Sequence, residues 1–227
     1  MSGGIELAVL DMAGTTVADG GLVEQAFTAA ITEVGVPGRE FPAMLDHVHR
    51  TMGESKIVVF RALLDEQRAQ RANRAFETAY ADLVGSGACT EIPGAAETIR
   101  LLRADGIKVA LSTGFSPETQ DRILAALGWH GLADLTLSPA EAGRGRPYPD
   151  MVLTAVLRLG VTDVRRVAVV GDTAYDVLSG LRAGASVVAG VRTGAHDRDV
   201  LLGAGAGHCL DSINDLPELL AGKEHSR

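Results

Sequence analysis

Along most of this chain, short apolar runs alternate with segments of helical spacing, and that alternation constrains the fold more than any other feature. Residues 5–10, 107–111, 135–137, 167–170 and 186–191 are apolar runs that end in small or polar residues, as strands buried on both faces do. Between them, residues 95–103, 117–127 and 151–159 carry apolar side chains at helical spacing, for example Ile99 with Leu102, and Val152 with Ala155, Val156 and Leu159. The order predicts an α/β protein with a doubly wound parallel sheet.

From about Val17 to Gly87 the alternation stops. Helical patterns follow one another at 22–34, 43–48, 55–68 and 72–84 with no convincing strand, and the strand–helix rhythm resumes after Ile92-Pro93-Gly94. This predicts an α/β core made of residues 1–16 and 88–227, with residues 17–87 inserted after the first strand as a helical cap. Asp19-Gly20-Gly21 and Gly85-Ser86-Gly87 supply hinges on either side. Gly203-Ala204-Gly205-Ala206-Gly207 reads as a loop.

Composition excludes several functions. With 46% hydrophobic and 22% charged residues, the 227-residue chain has the balance of a globular protein. Its formal charge of -8 argues against a nonspecific nucleic-acid binder, although local cations or a bound metal can still attract a small anion. Cys89 and Cys209 form neither a metal-ligand pair nor a redox motif, so a reducing, cytoplasmic setting is expected. No basic leader precedes an apolar segment and no 18 apolar residues run together, so neither export nor a membrane partner is expected.

In open parallel sheets, ligands bind beyond the carboxyl ends of the strands. Three strands end suggestively: in Asp11-Met12-Ala13-Gly14-Thr15-Thr16, in Ser112-Thr113-Gly114, and in Gly171-Asp172-Thr173-Ala174-Tyr175-Asp176. Singly, such ends are ordinary turns and helix caps. Together they describe a nucleophilic carboxylate, further carboxylates suited to a hard divalent cation, and hydroxyl and amide donors for phosphoryl oxygens. Arg146, within Gly145-Arg146-Pro147-Tyr148-Pro149-Asp150, adds a fixed positive charge. The pattern points to Mg²⁺-assisted phosphoryl transfer.

These motifs resemble those of the haloacid dehalogenase superfamily, in the order Asp11 to Thr15, Ser112 or Thr113, Arg146, and Asp172 with Asp176. The usual first motif has a second Asp two residues after the nucleophile, where this chain has Ala13. The resemblance is closest to the phosphonoacetaldehyde hydrolase (phosphonatase) branch, whose first motif reads Asp-x-Ala-Gly-Thr and whose third-motif cation lies in Gly-Arg-Pro-x-Pro. An alkoxide leaving group benefits from a positioned acid, which Ala13 cannot supply. A carbon–phosphorus bond needs an electron sink instead, and phosphonatases make one as an imine on a lysine in a Met-Gly-x-x-Lys segment. Met52-Gly53-Glu54-Ser55-Lys56 stands at the matching place, in a predicted first helical turn that disfavours the charged amine.

The resemblance implies Mg²⁺ held by Asp11, the carbonyl of Ala13 and Asp172, with Asp176 ordering a further ligand. It implies catalysis by Asp11, Lys56 and Arg146, and substrate contacts from Ala13, Gly14, Thr15, Ser112, Thr113 and Gly114. It also implies a cap that opens and closes, and a homodimer through that cap. Where phosphonatases carry a Cys after the first motif, a His three residues past the lysine and a Tyr after the second motif, this chain has Gly21, Val59 and Phe115. His47 and His49 are then the nearest bases for imine proton transfer. The expected substrate is phosphonoacetaldehyde or a related 2-oxoalkylphosphonate. The rival readings are a phosphatase of the same fold acting on a small phosphate ester, phosphoglycolate phosphatase-like, with Lys56 steering the anion, and a catalytically silent phospho-ligand-binding protein.

Overall fold

Every residue of β1 (Leu7–Asp11) is buried, as a strand covered on both faces requires. A computed structural model describes residues 4–225. After β1 come the short β2 (Val17–Ala18), four helices α1 (Leu22–Glu33), α2 (Phe41–Arg50), α3 (Lys56–Leu63) and α4 (Glu66–Gly85), and β3 (Thr90–Glu91). Then follow α5 (Ala95–Ala104), β4 (Lys108–Ser112), α6 (Pro117–Leu127), β5 (Leu135–Leu137), α7 (Pro139–Ala142) and α8 (Asp150–Arg158). The chain ends with β6 (Val167–Gly171), α9 (Ala174–Ala183), β7 (Val187–Val191), α10 (Arg198–Gly203), β8 (His208–Leu210) and α11 (Leu216–His225).

Six strands form one parallel sheet in the order β5-β4-β1-β6-β7-β8. The chain leaves β1 for β4 and β5 on one side, then crosses to β6 on the other, so the carboxyl end of β1 is a topological switch point. The pleat divides the core: Ala8 and Leu10 join the layer containing Ile99 and Leu102 of α5, whereas Leu7 and Val9 join the layer containing Val152, Ala155 and Val156 of α8. Each fully buried large aliphatic side chain here contributes about 1.5–3 kcal/mol. Both faces are covered, and the fold is the expected doubly wound α/β architecture.

The helical segment differs from expectation in two details. The pattern over 55–68 is not one helix: Leu64 is extended, and the Asp65 carboxylate accepts the Arg68 N–H at 3.0 Å to start α4 afresh. Within 17–87 a strand does exist, because Val17 and Ala18 pair antiparallel with Glu91 and Thr90, tying together the two crossings into and out of the segment. Phe27 of α1 stacks on Phe60 of α3 at 4.9 Å, and the aromatic contacts continue through Phe76 and Tyr80 of α4 to Phe115, in the loop after β4. This aromatic chain joins the helices to the sheet at the strand ends. Gly203 closes α10 and the rest of the glycine-rich stretch is a loop leading to β8. No helix among the described residues is long and apolar enough to cross a membrane.

Candidate active site

Parallel register brings the chemistry to one edge. Asp11 is paired with Ser112 at the ends of β1 and β4, and Asp172 follows directly after β6. Arg146 sits among them, 6% exposed. One of its Nη atoms donates to Asp11 Oδ1 at 2.5 Å and to Ser112 Oγ at 2.9 Å, while Nε meets Asp176 Oδ1 at 2.7 Å. The other oxygen of Asp176 accepts the Thr173 N–H and hydroxyl in a capping box that opens α9. Asp172 accepts the Ala195 N–H at 2.8 Å and the Thr15 hydroxyl at 3.3 Å.

The lysine reaches this edge because two glycines let backbones meet. Gly53 has φ of 92°, and a Cβ there would strike the Thr173 hydroxyl. A Cβ on Gly114 would lie 2.9 Å from the Glu54 carbonyl oxygen. With neither Cβ present, the Gly53-Glu54 backbone seats directly on the strand-end loops. Three residues later Lys56 opens α3, 8% exposed, its Nζ 5.6 Å from the Phe115 ring centroid and 6.0 Å from that of Phe76. Lys56 lines the same cavity as Asp11, Ala13, Thr113, Gly114 and Asp172, with a volume of about 30 Å³.

Electrostatics in the enclosure are unbalanced. Burial pushes the Lys56 amine below the usual lysine range, opposed by the negative charges of Asp19 and Asp11. Burial raises Asp11 well above the ordinary carboxylate range, Arg146 opposes this, and Asp176 and Asp172 add to it. Asp172 is pushed up to about 6, first by burial and then by Asp176. Ligand atoms of Asp11, Asp172 and Asp176 lie within 4.8 Å of one another. Three buried carboxylates facing one guanidinium leave negative charge that a hard, oxygen-seeking divalent cation fits. Mg²⁺ at a hundred times its Kd is expected to add about 2.7 kcal/mol to stability, a Tm rise of roughly 5–10 °C for a chain of this size. Thermal melts with Mg²⁺ and with EDTA check this, and the increment should vanish in Asp172→Asn.

The expected residues fall into two groups. Asp11, Ala13, Lys56, Thr113, Gly114, Arg146 and Asp172 line the cavity, while Gly14, Thr15, Ser112 and Asp176 are engaged by neighbouring protein groups. The amide of Gly14 donates to the Val17 carbonyl and that of Thr15 to the Met12 carbonyl. The donors of Arg146 are directed at Asp11, Ser112 and Asp176. Neither histidine lines the small lysine cavity: exposed His49 pairs with Glu24 at 3.0 Å, and Nε2 of His47 is buried without a hydrogen-bond partner among the described residues. Sequence reading missed Asp19 as the leading charge near Lys56, and Glu77, which accepts the Ser116 hydroxyl at 2.7 Å and the Thr119 hydroxyl at the start of α6. Asp19 stood in view beside the hinge glycines, but its proximity to Lys56 is tertiary.

A parallel sheet with a carboxylate ending its central strand, and two more after β6, gathers buried acids at one strand-end edge, and comparison with known proteins places such a chain among the hydrolases. The sequence profile of the haloacid dehalogenase-like hydrolases matches residues 5–184, and the chain belongs to that family of enzymes. It is 29% identical to the phosphonoacetaldehyde hydrolase of Pseudomonas fluorescens (strain Pf0-1) over 257 aligned positions, covering 96% of this chain and 92% of that protein. It is 26% identical to "Probable phosphatase IndB" of Dickeya dadantii (strain 3937), covering 92% and 91% respectively. Among solved structures, a phosphonoacetaldehyde hydrolase-like protein from Oleispira antarctica superposes with a TM-score of 0.85 at 26% identity, covering 97% of this chain and 93% of that one.

Proposed function

We propose that this hydrolase cleaves the carbon–phosphorus bond of phosphonoacetaldehyde or a related 2-oxoalkylphosphonate through an imine on Lys56 and an aspartyl phosphate on Asp11. The observation that carries this reading is that a buried amine of lowered basicity shares one small cavity with Asp11, while Ala13 occupies the place of a proton donor.

The neutral Lys56 amine adds to the substrate carbonyl and water is lost, giving an imine that takes up a proton from solvent to become the iminium. Asp11 attacks phosphorus, and the electron pair of the breaking C–P bond passes into the iminium to form an enamine. Water hydrolyses the aspartyl phosphate, releasing phosphate and restoring Asp11. Protonation and hydrolysis of the enamine release the organic carbonyl product and restore the amine. Mg²⁺, held by Asp11, the Ala13 carbonyl and Asp172 with Asp176 behind them, would offset repulsion between the attacking carboxylate and the phosphoryl oxygens. Arg146 orients Asp11 by the 2.5 Å contact, and Thr113 and Gly114 face the phosphoryl group. Enclosure keeps competing water from the imine.

Incubation with Mg²⁺ and a panel of 2-oxoalkylphosphonates and phosphate esters, with and without borohydride, tests the reading. Phosphate release from a phosphonate, abolished by borohydride with a reduced adduct on Lys56, is the expected result. A phosphatase of the same fold is the second reading, favoured by the similarity to IndB; ester turnover that survives Lys56→Ala would establish it instead.

Asp19 gives a further check. Its carboxylate favours the protonated form of Lys56 and accepts the Gly21 and Val23 N–H groups at 3.2 Å each. Asp19→Asn keeps an acceptor but removes the charge, so the Lys56 pKa falls further. The pH midpoint of borohydride trapping should therefore move to lower pH, and trapping at neutral pH should accelerate. An unchanged midpoint would show that Asp19 does not act on the amine.

A further inference from the structure

Two cavities meet at Lys56. The smaller holds it with Asp11 and Asp172. The larger, about 730 Å³, lies between α3 and α4 on one side and the 139–148 segment on the other; Lys56, Phe115 and Arg146 line both. A carbonyl carbon joined to the Lys56 nitrogen has two further substituents. With the one that leads to phosphorus placed beside Asp11, the larger cavity is the space left for the other. A hydrogen in that position, as in phosphonoacetaldehyde, would leave the larger space empty.

The walls of that space indicate what fills it. Arg61, Arg144 and Arg182 join Lys56 and Arg146 there, against Glu54 and Glu77, in a chain whose formal charge is -8. Both carboxylates already have partners, Glu77 in Ser116 and Thr119, and Glu54 in the Tyr175 phenol. Arg61 pairs with Glu66, and Arg144 with Asp150. Arg182 forms no ion pair among the described residues and donates to the Pro147 carbonyl at 2.8 Å. Ile57 and Val58 provide an aliphatic wall in the same cavity.

We infer that the substrate is a 2-oxoalkylphosphonate whose carbonyl carries a short chain ending in a carboxylate, the chain lying along Ile57 and Val58 and the carboxylate paired with Arg182. The inference rests on the phosphonate-cleaving reading above. A guanidinium suits a carboxylate because its planar fork of donors matches the two oxygens.

Phosphonolevulinate, a phosphonomethyl ketone ending in a carboxylate, and its carboxyl methyl ester differ in that one charge. With Mg²⁺ present, kcat/KM for the acid is expected to exceed that for the ester about tenfold or more, the preference weakening with added salt. In Arg182→Gln the ratio should fall to near one, and Arg182→Lys should retain most of it, with the melting temperature of each variant recorded to exclude misfolding. Equal rates on acid and ester, with phosphonoacetaldehyde still cleaved through Lys56, would overturn the second anion and leave the parent reading standing. A preference for the acid that survives Arg182→Gln would overturn the assignment to Arg182. Cleavage of no phosphonate, with esters hydrolysed, would overturn both.

Discussion

Lys56→Met is expected to lower C–P cleavage by about a thousandfold or more while leaving the protein folded. Methionine nearly matches lysine in length and fills the same space between Phe76 and Phe115, but it cannot form an imine. Burial already disfavours the charged amine, so a neutral replacement should leave the melting temperature unchanged or raise it. Loss of activity without loss of stability separates a chemical role from a structural one. Phosphate release and borohydride adducts measured on one preparation decide the matter. Full phosphonate turnover by the variant would remove the imine from the mechanism.

Asp11→Asn should have an effect at least as large, roughly ten-thousandfold on phosphate release from any substrate. The amide can still accept the Arg146 donor at Oδ1, so the change removes the nucleophile with little disturbance around it. It also relieves repulsion with Asp172 and Asp176. The diagnostic result is what persists: in the proposed sequence imine formation precedes attack on phosphorus, so borohydride should still trap substrate on Lys56 in this variant. Phosphate release that continues would show that another group attacks phosphorus. The variant also tests the silent-binding alternative, because metal-dependent phosphate release by the parent chain that disappears in Asp11→Asn leaves that alternative no room.

The sheet was legible in the sequence because its inner strands are buried on both faces, and residues 7–10, 109–111, 167–170 and 187–191 carry no polar side chain. The edge strand His208–Leu210 was not, since its three residues are half-buried and carry no periodic signal. The helix break at Leu64-Asp65 was hidden because apolar spacing continues across it, although Asp65 is a common capping residue. The carboxylates at the strand ends could be placed because the rule for parallel sheets depends on local order. What they touch could not, because the ion pairs of Arg146 with Asp11 and Asp176 are tertiary contacts. Phe115 has a packing explanation visible only in three dimensions: its ring lies 4.4 Å from Tyr80 and 6.2 Å from Phe76, an extension of the aromatic chain from the helices.

The backbone seat of Gly53 and Glu54 against Thr173 and Gly114 works by the absence of atoms, and so it fixes a tolerance. A single methyl group on Gly114 would act as a shim, tilting α3 and its lysine outward from the carboxylate below. Amine and nucleophile would each remain chemically competent, yet one substrate could no longer span the gap between them. The two half-reactions of the proposed mechanism would thus be coupled by a clearance narrower than one carbon atom.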